Sequence, residues 1–82
     1  MLTREELLTL IIQLGITTKE LARELGVKHP NYISTVLRRM PPAVRLSYGD
    51  KTTLWFRIQD YVLQKKEEWE REHGKELRYK SL

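Results

Sequence analysis

The sequence contains no cysteine, few glycines and prolines, and no long run of hydrophobic residues. Without cysteine, neither a disulfide framework nor a thiolate zinc site can form. The longest hydrophobic stretch, from Leu7 to Ile12, is interrupted by Thr9 and is far shorter than the roughly 20 residues that span a bilayer. The N-terminus carries acidic residues where a signal peptide carries only basic ones. We therefore expect a cytoplasmic protein that does not associate with membranes.

The residue sets that catalysis requires are also missing. The two histidines, His29 and His73, lie in different predicted elements, and neither has a carboxylate pair or a nucleophile beside it. The four glycines stand alone, so no phosphate-binding loop is present. A chain of 82 residues also leaves little room for a substrate pocket. We expect no enzyme activity, no cofactor, no bound metal and no small-molecule ligand.

The chain is instead rich in charge and in helical hydrophobic periodicity. Fifteen Lys and Arg against eleven Asp and Glu give a formal net charge of +4, a balance that favours polyanionic partners. Hydrophobic residues make up 40% of the chain, which suits one compact domain. We place this domain at residues 1–74 and a basic, frayed tail at residues 75–82.

Helix-capping residues and hydrophobic spacing predict an all-α fold of about four helices. Thr3 with Glu6, and Thr17 with Glu20, have the form of capping boxes at two helix starts. Glycines end these two helices, and Pro30 is well placed to begin the third. The predicted helices span residues 4–14, 18–25, 30–39 and about 51–72, the last being long. Their core-facing residues are Leu7, Leu10, Ile11 and Leu14; Leu21, Ala22 and Leu25; Ile33, Val36, Leu37 and Met40; and Leu54, Trp55, Ile58, Tyr61, Val62 and Trp69.

An alternative fold is open between the third and fourth helices. Val44, Leu46 and Tyr48 alternate, and residues 52–56 are rich in strand formers, with Gly49-Asp50 between them as a turn. This pattern is typical of a β-hairpin over residues 43–56. The fold would then be a winged helix-turn-helix.

Residues 17–37 have the pattern of two short amphipathic helices joined by a sharp turn. Ala22 is small where the two helices cross, and Gly26 can adopt the left-handed conformation that the turn requires. Val27 and Ile33 are placed to fill the angle between the helices. Such an arrangement holds one face of the third helix outward as a rod that fits a DNA major groove.

The phrases LIIQLGITTKELARELGV and NYISTVL resemble the phage repressor and Cro-like, or XRE-type, helix-turn-helix family. The resemblance covers residues 7–39, under half of the chain. Between Gly26 and Ile33 there is one residue more than that family usually has, which leaves the register of the turn 27–31 open. The resemblance implies sequence-specific binding of double-stranded DNA by helix 30–39 and a role as a transcription regulator, of the phage or mobile-element repressor type.

The residues predicted to be exposed on and around the third helix carry groups that bind DNA. Asn pairs with adenine and Arg with guanine, and Ser or Thr contacts base edges or phosphates. The predicted base contacts are Asn31, Ser34, Thr35, Arg38 and His29. No acidic residue occurs from Lys28 to Leu46, as a phosphate-facing surface requires, and the start of the second helix offers free amides to a phosphate. The predicted phosphate contacts are Thr17, Thr18, Lys19, Lys28, Tyr32, Arg39 and Arg45.

Several of these residues have a purely structural alternative. Ser34 and Thr35 are also typical of an ordinary solvated helix face, and Arg38 with Arg39 of a solubilising or C-capping pair. Tyr32 suits the edge of the core equally well, and His29 suits a turn or a helix N-cap.

The last helix carries a second hydrophobic patch. Phe56 and Leu63 point away from its main stripe. Either the loop 43–48 wraps over Phe56, or this patch forms a two-fold dimer contact. Trp69 is another dimer candidate if the helix projects past the domain. We expect a homodimer, because one short helix reads only a few base pairs. The alternative function is a protein-binding module, such as an antitoxin or an anti-repressor, that captures its partner with this hydrophobic helix.

Overall fold

The computed structural model of the protein describes residues 2–39 and 50–78, with the backbone alone at residues 39 and 50–53. These residues form four α-helices and no strand. The helices are α1 (Arg4–Gln13), α2 (Thr18–Leu25), α3 (Pro30–Arg39) and α4 (Asp50–His73). The predicted all-α fold with a long C-terminal helix is confirmed, and the predicted helix ends lie within one residue of the observed ones.

The hairpin alternative is wrong in its second strand. Residues 50–56 form the first turns of α4, whereas residues 43–49 lie outside the described part of the chain. Leu54, Trp55 and Ile58 are all buried. A strand would place neighbouring residues such as Leu54 and Trp55 on opposite faces, but a helix brings all three onto one side. Burial of this stripe therefore favours the helix over the strand propensity of residues 52–56.

The starts of α1 and α2 are capped differently, although both carry the sequence Thr-x-x-Glu. At α1 the capping box is complete, because the Glu6 amide donates to Thr3 Oγ1 (3.1 Å) and the Thr3 amide donates to Glu6 Oε1 (2.9 Å). At α2 the Glu20 amide donates to Thr17 Oγ1 (3.0 Å), but the Glu20 carboxylate does not return to Thr17. The second predicted capping box is therefore only half formed, because Glu20 binds α4 instead.

The core is built from one side of every helix. α4 packs against α1, α2 and α3, and α2 packs against α3. Most predicted core residues are buried; Leu14, Leu25, Tyr61 and Trp69 are half-buried, and Met40 lies outside the described residues. Leu2, which precedes α1, and Ile16, which lies between α1 and α2, also join the core. The Leu2 amide donates to Gln59 Oε1 (3.0 Å), which joins the N-terminus to α4.

The chain folds back after α4 and does not fray at once. Gly74 adopts a left-handed conformation (φ 65°), and Leu77 then packs, half-buried, against the core. The Leu77 amide donates to Glu70 Oε2 (3.0 Å), and Gln13 Nε2 donates to the Arg78 carbonyl (2.7 Å). The expectation of a frayed tail is therefore wrong for residues 75–78, and residues 79–82 lie outside the described part.

None of the described helices combines the length and the hydrophobicity that crossing a membrane would require.

Candidate nucleic-acid interface

The connection between α2 and α3 sets the orientation of α3. Residues 26–29 join the two helices, and Gly26 caps α2 in the left-handed conformation (φ 70°). Ile33 is fully buried, Ala22 is nearly so, and Val27 packs against the core. These three positions confirm the predicted packing of the turn. Because Val36 and Leu37 are buried as well, the rotation of α3 about its axis is determined by its hydrophobic side.

Opposite this hydrophobic side, α3 presents polar groups. Asn31 and Arg38 are exposed, as are Lys28 and His29 in the preceding connection, whereas Ser34 and Thr35 are half-buried. α3 itself contains no acidic residue. Four of the predicted DNA-contacting residues are thus brought onto one helix, and two more, Lys28 and His29, lie just before it. All six are at least partly exposed to solvent. The six are Lys28, His29, Asn31, Ser34, Thr35 and Arg38.

The Thr35 side chain is already oriented by its own helix. Its hydroxyl donates to the Asn31 carbonyl (3.0 Å). The hydroxyl proton is therefore engaged, and the groups left for an external partner are the oxygen lone pairs and the methyl group. These groups suit an amino group of adenine or cytosine, or the methyl of thymine.

The end of α3 is held by a residue that the sequence analysis did not single out. Arg4 Nη1 donates to the backbone carbonyl of Arg38 (2.7 Å). A cation there satisfies an orphan carbonyl and offsets the negative end of the helix dipole. Arg4 thereby ties the start of α1 to the end of α3, 34 positions along the chain. No local signal marks this pairing, because Arg4 is an ordinary first-turn residue in its own helix.

The start of α2 lies beside a shallow depression of about 440 Å³ lined by Thr17, Lys19, Glu20 and Arg23. Thr17 and Lys19 are exposed, and Thr18 is half-buried. The first amides of a helix have no partner within the helix and carry its positive dipole end. The predicted phosphate contacts Thr17, Thr18 and Lys19 are therefore placed together, with the Arg23 guanidinium at the same depression.

α4 holds α2 at both ends. Arg57 Nη2 donates to the Leu25 carbonyl at the end of α2 (2.6 Å). The Tyr61 hydroxyl donates to Glu20 Oε2 in the first turn of α2 (2.7 Å). Desolvation by burial, together with the hydrogen bond and charge of Glu20, raises the pKa of Tyr61 to about 12. Sequence reasoning placed Tyr61 in the hydrophobic stripe of α4 but gave no indication of its polar partner.

The remaining predicted contacts divide into packed and undescribed residues. Tyr32 is half-buried and packs against the core, so its ring occupies the core edge that its structural alternative predicted. The side chain of Arg39 and all of Arg45 lie outside the described residues. Those two predicted phosphate contacts therefore stay predictions.

The candidate dimer residues are mostly covered by their own chain. Phe56 and Leu63 are half-buried and pack against the core. The Trp69 ring stacks on the His73 ring with centroids 4.1 Å apart, and Lys75 Nζ lies 5.9 Å from the Trp69 ring centroid. Within residues 2–39 and 54–78, the one large hydrophobic side chain in open contact with solvent is Ile12, which is 79% exposed. None of the predicted dimer residues is a freely exposed hydrophobic group.

In comparisons with known proteins, the chain matches no family model, and no curated protein or solved structure shows significant similarity to it. The resemblance to phage repressors therefore stays a prediction from residues 7–39.

Proposed function

We propose that this protein binds double-stranded DNA at specific sequences, with α3 lying in the major groove. The orientation of α3 carries the proposal. Its hydrophobic residues are buried on one side, while Asn31 and Arg38 are exposed on a helix that has no acidic residue. The three other helices serve as the scaffold that holds this face outward.

The dimensions of α3 suit the groove. Its ten residues extend about 15 Å at 1.5 Å per residue. A major groove about 12 Å wide admits one such helix. Arg38 is suited to the acceptor edge of guanine and Asn31 to adenine, with Ser34, Thr35 and His29 beside them. In this arrangement α3 reads the bases with a continuous strip of side chains.

Phosphate binding is assigned to the groups around this strip. Lys28 lies in the connection before α3, and Thr17, Thr18 and Lys19 lie at the start of α2. Phosphate contacts position a protein on the duplex and carry no sequence information. The formal net charge of +4 favours the same polyanion.

The biological role is proposed from the resemblance alone. A phage- or mobile-element-type repressor of this family acts as a cytoplasmic homodimer on two half-sites, and we propose the same for this chain. The competing function, a protein-binding module built on α4, has less support. Leu54, Trp55, Ile58 and Val62 of α4 are buried in the core, so this helix offers a partner few of its hydrophobic residues.

The proposal is tested by selecting binding sites from random duplexes at two salt concentrations. Wild-type protein is compared with Arg38→Glu and with Arg71→Glu, a matched charge reversal at an exposed position of α4. We expect wild type and Arg71→Glu to enrich the same motif. Arg38→Glu should enrich no motif, although its circular dichroism should show that it keeps its helical structure. A palindromic motif would support the homodimer. Failure of the wild type to enrich any motif, or wild-type selection by Arg38→Glu, would refute the proposal.

A further inference from the structure

The two Thr-x-x-Glu sequences of this chain form an internal comparison. In α1 the Glu6 carboxylate accepts the Thr3 amide, so the helix start is closed by an acid. In α2 the Thr17 amide makes no hydrogen bond to the described part of the chain, and the Glu20 carboxylate does not accept it. The same local sequence therefore gives a closed capping box in α1 and a half-formed one in α2. A contact outside the Thr-x-x-Glu sequence must decide whether the box closes.

Tyr61 accounts for the difference. Its hydroxyl donates to Glu20 Oε2 at 2.7 Å in a partly buried contact between α4 and α2. A hydrogen bond to a carboxylate is about twice as strong as one between neutral groups. The hydrogen bond that closes a capping box is also made to a carboxylate. It is exposed to solvent, however, as the bond from the Thr3 amide to Glu6 is. The partly covered bond to Tyr61 is therefore favoured over an exposed bond to the Thr17 amide.

The position of this carboxylate matters for the charge at the start of α2. A closed capping box would occupy the Thr17 amide as well and would hold the Glu20 carboxylate directly against it, at the positive end of the helix dipole. The groups assigned to phosphate binding, Thr17, Thr18 and Lys19, are at this same end. A carboxylate bound to the Thr17 amide would compete with a phosphate for that amide and repel it at short range.

We propose that Tyr61 is a positioning residue for DNA binding: its hydroxyl retains the Glu20 carboxylate and keeps it off the Thr17 amide, which is left open to a phosphate. This inference rests on the proposed function for its consequence. The position of the Glu20 carboxylate does not depend on DNA. It is therefore measured in the free protein, and its effect on DNA binding is measured separately.

The first measurement uses the free protein. Tyr61→Phe removes the hydroxyl and keeps the ring that packs against the core. We expect the released carboxylate to close the box, so that hydrogen exchange of the Thr17 amide, followed by NMR, slows several-fold. The Thr3 amide is the internal control, because its box is already closed, and its exchange should not change. Unaltered exchange at Thr17 in Tyr61→Phe would overturn the inference, whether or not the protein binds DNA.

The second measurement is the affinity for a duplex of arbitrary sequence across a range of salt concentrations. Tyr61→Phe should weaken binding roughly two- to five-fold, the effect of one charge at a helix end. It should also reduce the salt slope by about one phosphate contact. In a Glu20→Ala background the same change should have no effect, because no carboxylate is left to move. This double-mutant cycle isolates the coupling of Tyr61 to Glu20.

The outcomes separate the two proposals. Slower Thr17 exchange with unchanged DNA affinity would overturn the role of Tyr61 in binding but not the DNA-binding proposal. Absence of DNA binding by the wild type would refute the proposed function, and with it the role of Tyr61, whatever the exchange data show. A loss of affinity in Tyr61→Phe that persists without Glu20 would indicate a merely structural role and would also overturn the inference.

Discussion

Individual side chains around α3 differ in the information that they can carry. Arg38 and Asn31 are exposed and have side chains that can make two parallel hydrogen bonds to one base. Thr35 has lost its donor to the Asn31 carbonyl, so it offers only acceptors and a methyl group. Lys28 carries a point charge before the helix starts, and such a charge senses phosphates without distinguishing bases.

This division predicts different effects for alanine at positions 38 and 28. Arg38→Ala should cost about 1–3 kcal/mol on the selected site and relax discrimination at one base pair. Lys28→Ala should weaken binding to all sequences similarly and reduce the salt slope by about 0.9. Both are measured by titrating specific and scrambled duplexes at several salt concentrations, with Lys75→Ala, in the turn after α4, as the control. A Lys28→Ala variant with the wild-type salt slope would contradict the phosphate assignment.

At the scale of elements, the connection between α2 and α3 depends on one backbone conformation. Gly26 has φ 70°, and a Cβ added there would meet no atom within 4 Å. Space is therefore not the obstacle to a side chain at this position. The left-handed conformation itself is the obstacle, because it costs other residues roughly 1–2 kcal/mol.

Gly26→Ala should therefore lower the free energy of unfolding by about 1–2 kcal/mol through backbone strain alone. Gly26→Asn is the matched variant, and it should lose less because asparagine tolerates the left-handed region. Urea denaturation followed by circular dichroism measures both. Equal losses for alanine and asparagine would show that the backbone conformation is not the cause.

At the scale of the whole molecule, the segment after α4 closes the fold onto α1. Glu70 accepts hydrogen bonds from Lys66 Nζ (2.8 Å) and from the Leu77 amide (3.0 Å). Gln13 of α1 binds the Arg78 carbonyl one residue further on. The hydrogen bonds to Glu70 hold the pKa of its carboxyl below its usual value, and the bond from Lys66 has a larger effect than the bond from Leu77.

Protonation of Glu70 should therefore release this segment. Because the folded pKa is lower than the unfolded one, the stabilisation is complete above the unfolded value and is lost as the pH falls through the folded value. We expect hydrogen exchange of the Leu77 amide, corrected for its intrinsic pH dependence, to accelerate as the pH falls below the ordinary pKa range of a glutamate. In Glu70→Gln the acceleration should be absent. Identical acid profiles for the two proteins would exclude Glu70 as the responsible group.

The fold could be predicted closely where its causes are local. The Thr3 cap, the Pro30 start and the 3.6-residue hydrophobic spacing each act within a few turns of one helix. They were enough to predict four helices and the buried side of α3. The hairpin alternative failed because strand propensity over residues 52–56 is also local and is overridden by burial of Trp55 and its neighbours.

Long-range packing decided the contacts that local sequence leaves open. Glu20 has the same spacing from its threonine as Glu6, yet its carboxylate binds Tyr61, 41 positions away. Arg4 finds the Arg38 carbonyl, and Gln13 the Arg78 carbonyl, over similar or larger separations. Such partners depend on how whole helices cross, and no pattern within one helix encodes that. Helix positions and the outward face of α3 are thus properties of the linear chain, whereas the charge around the start of α2 is a property of the assembled bundle.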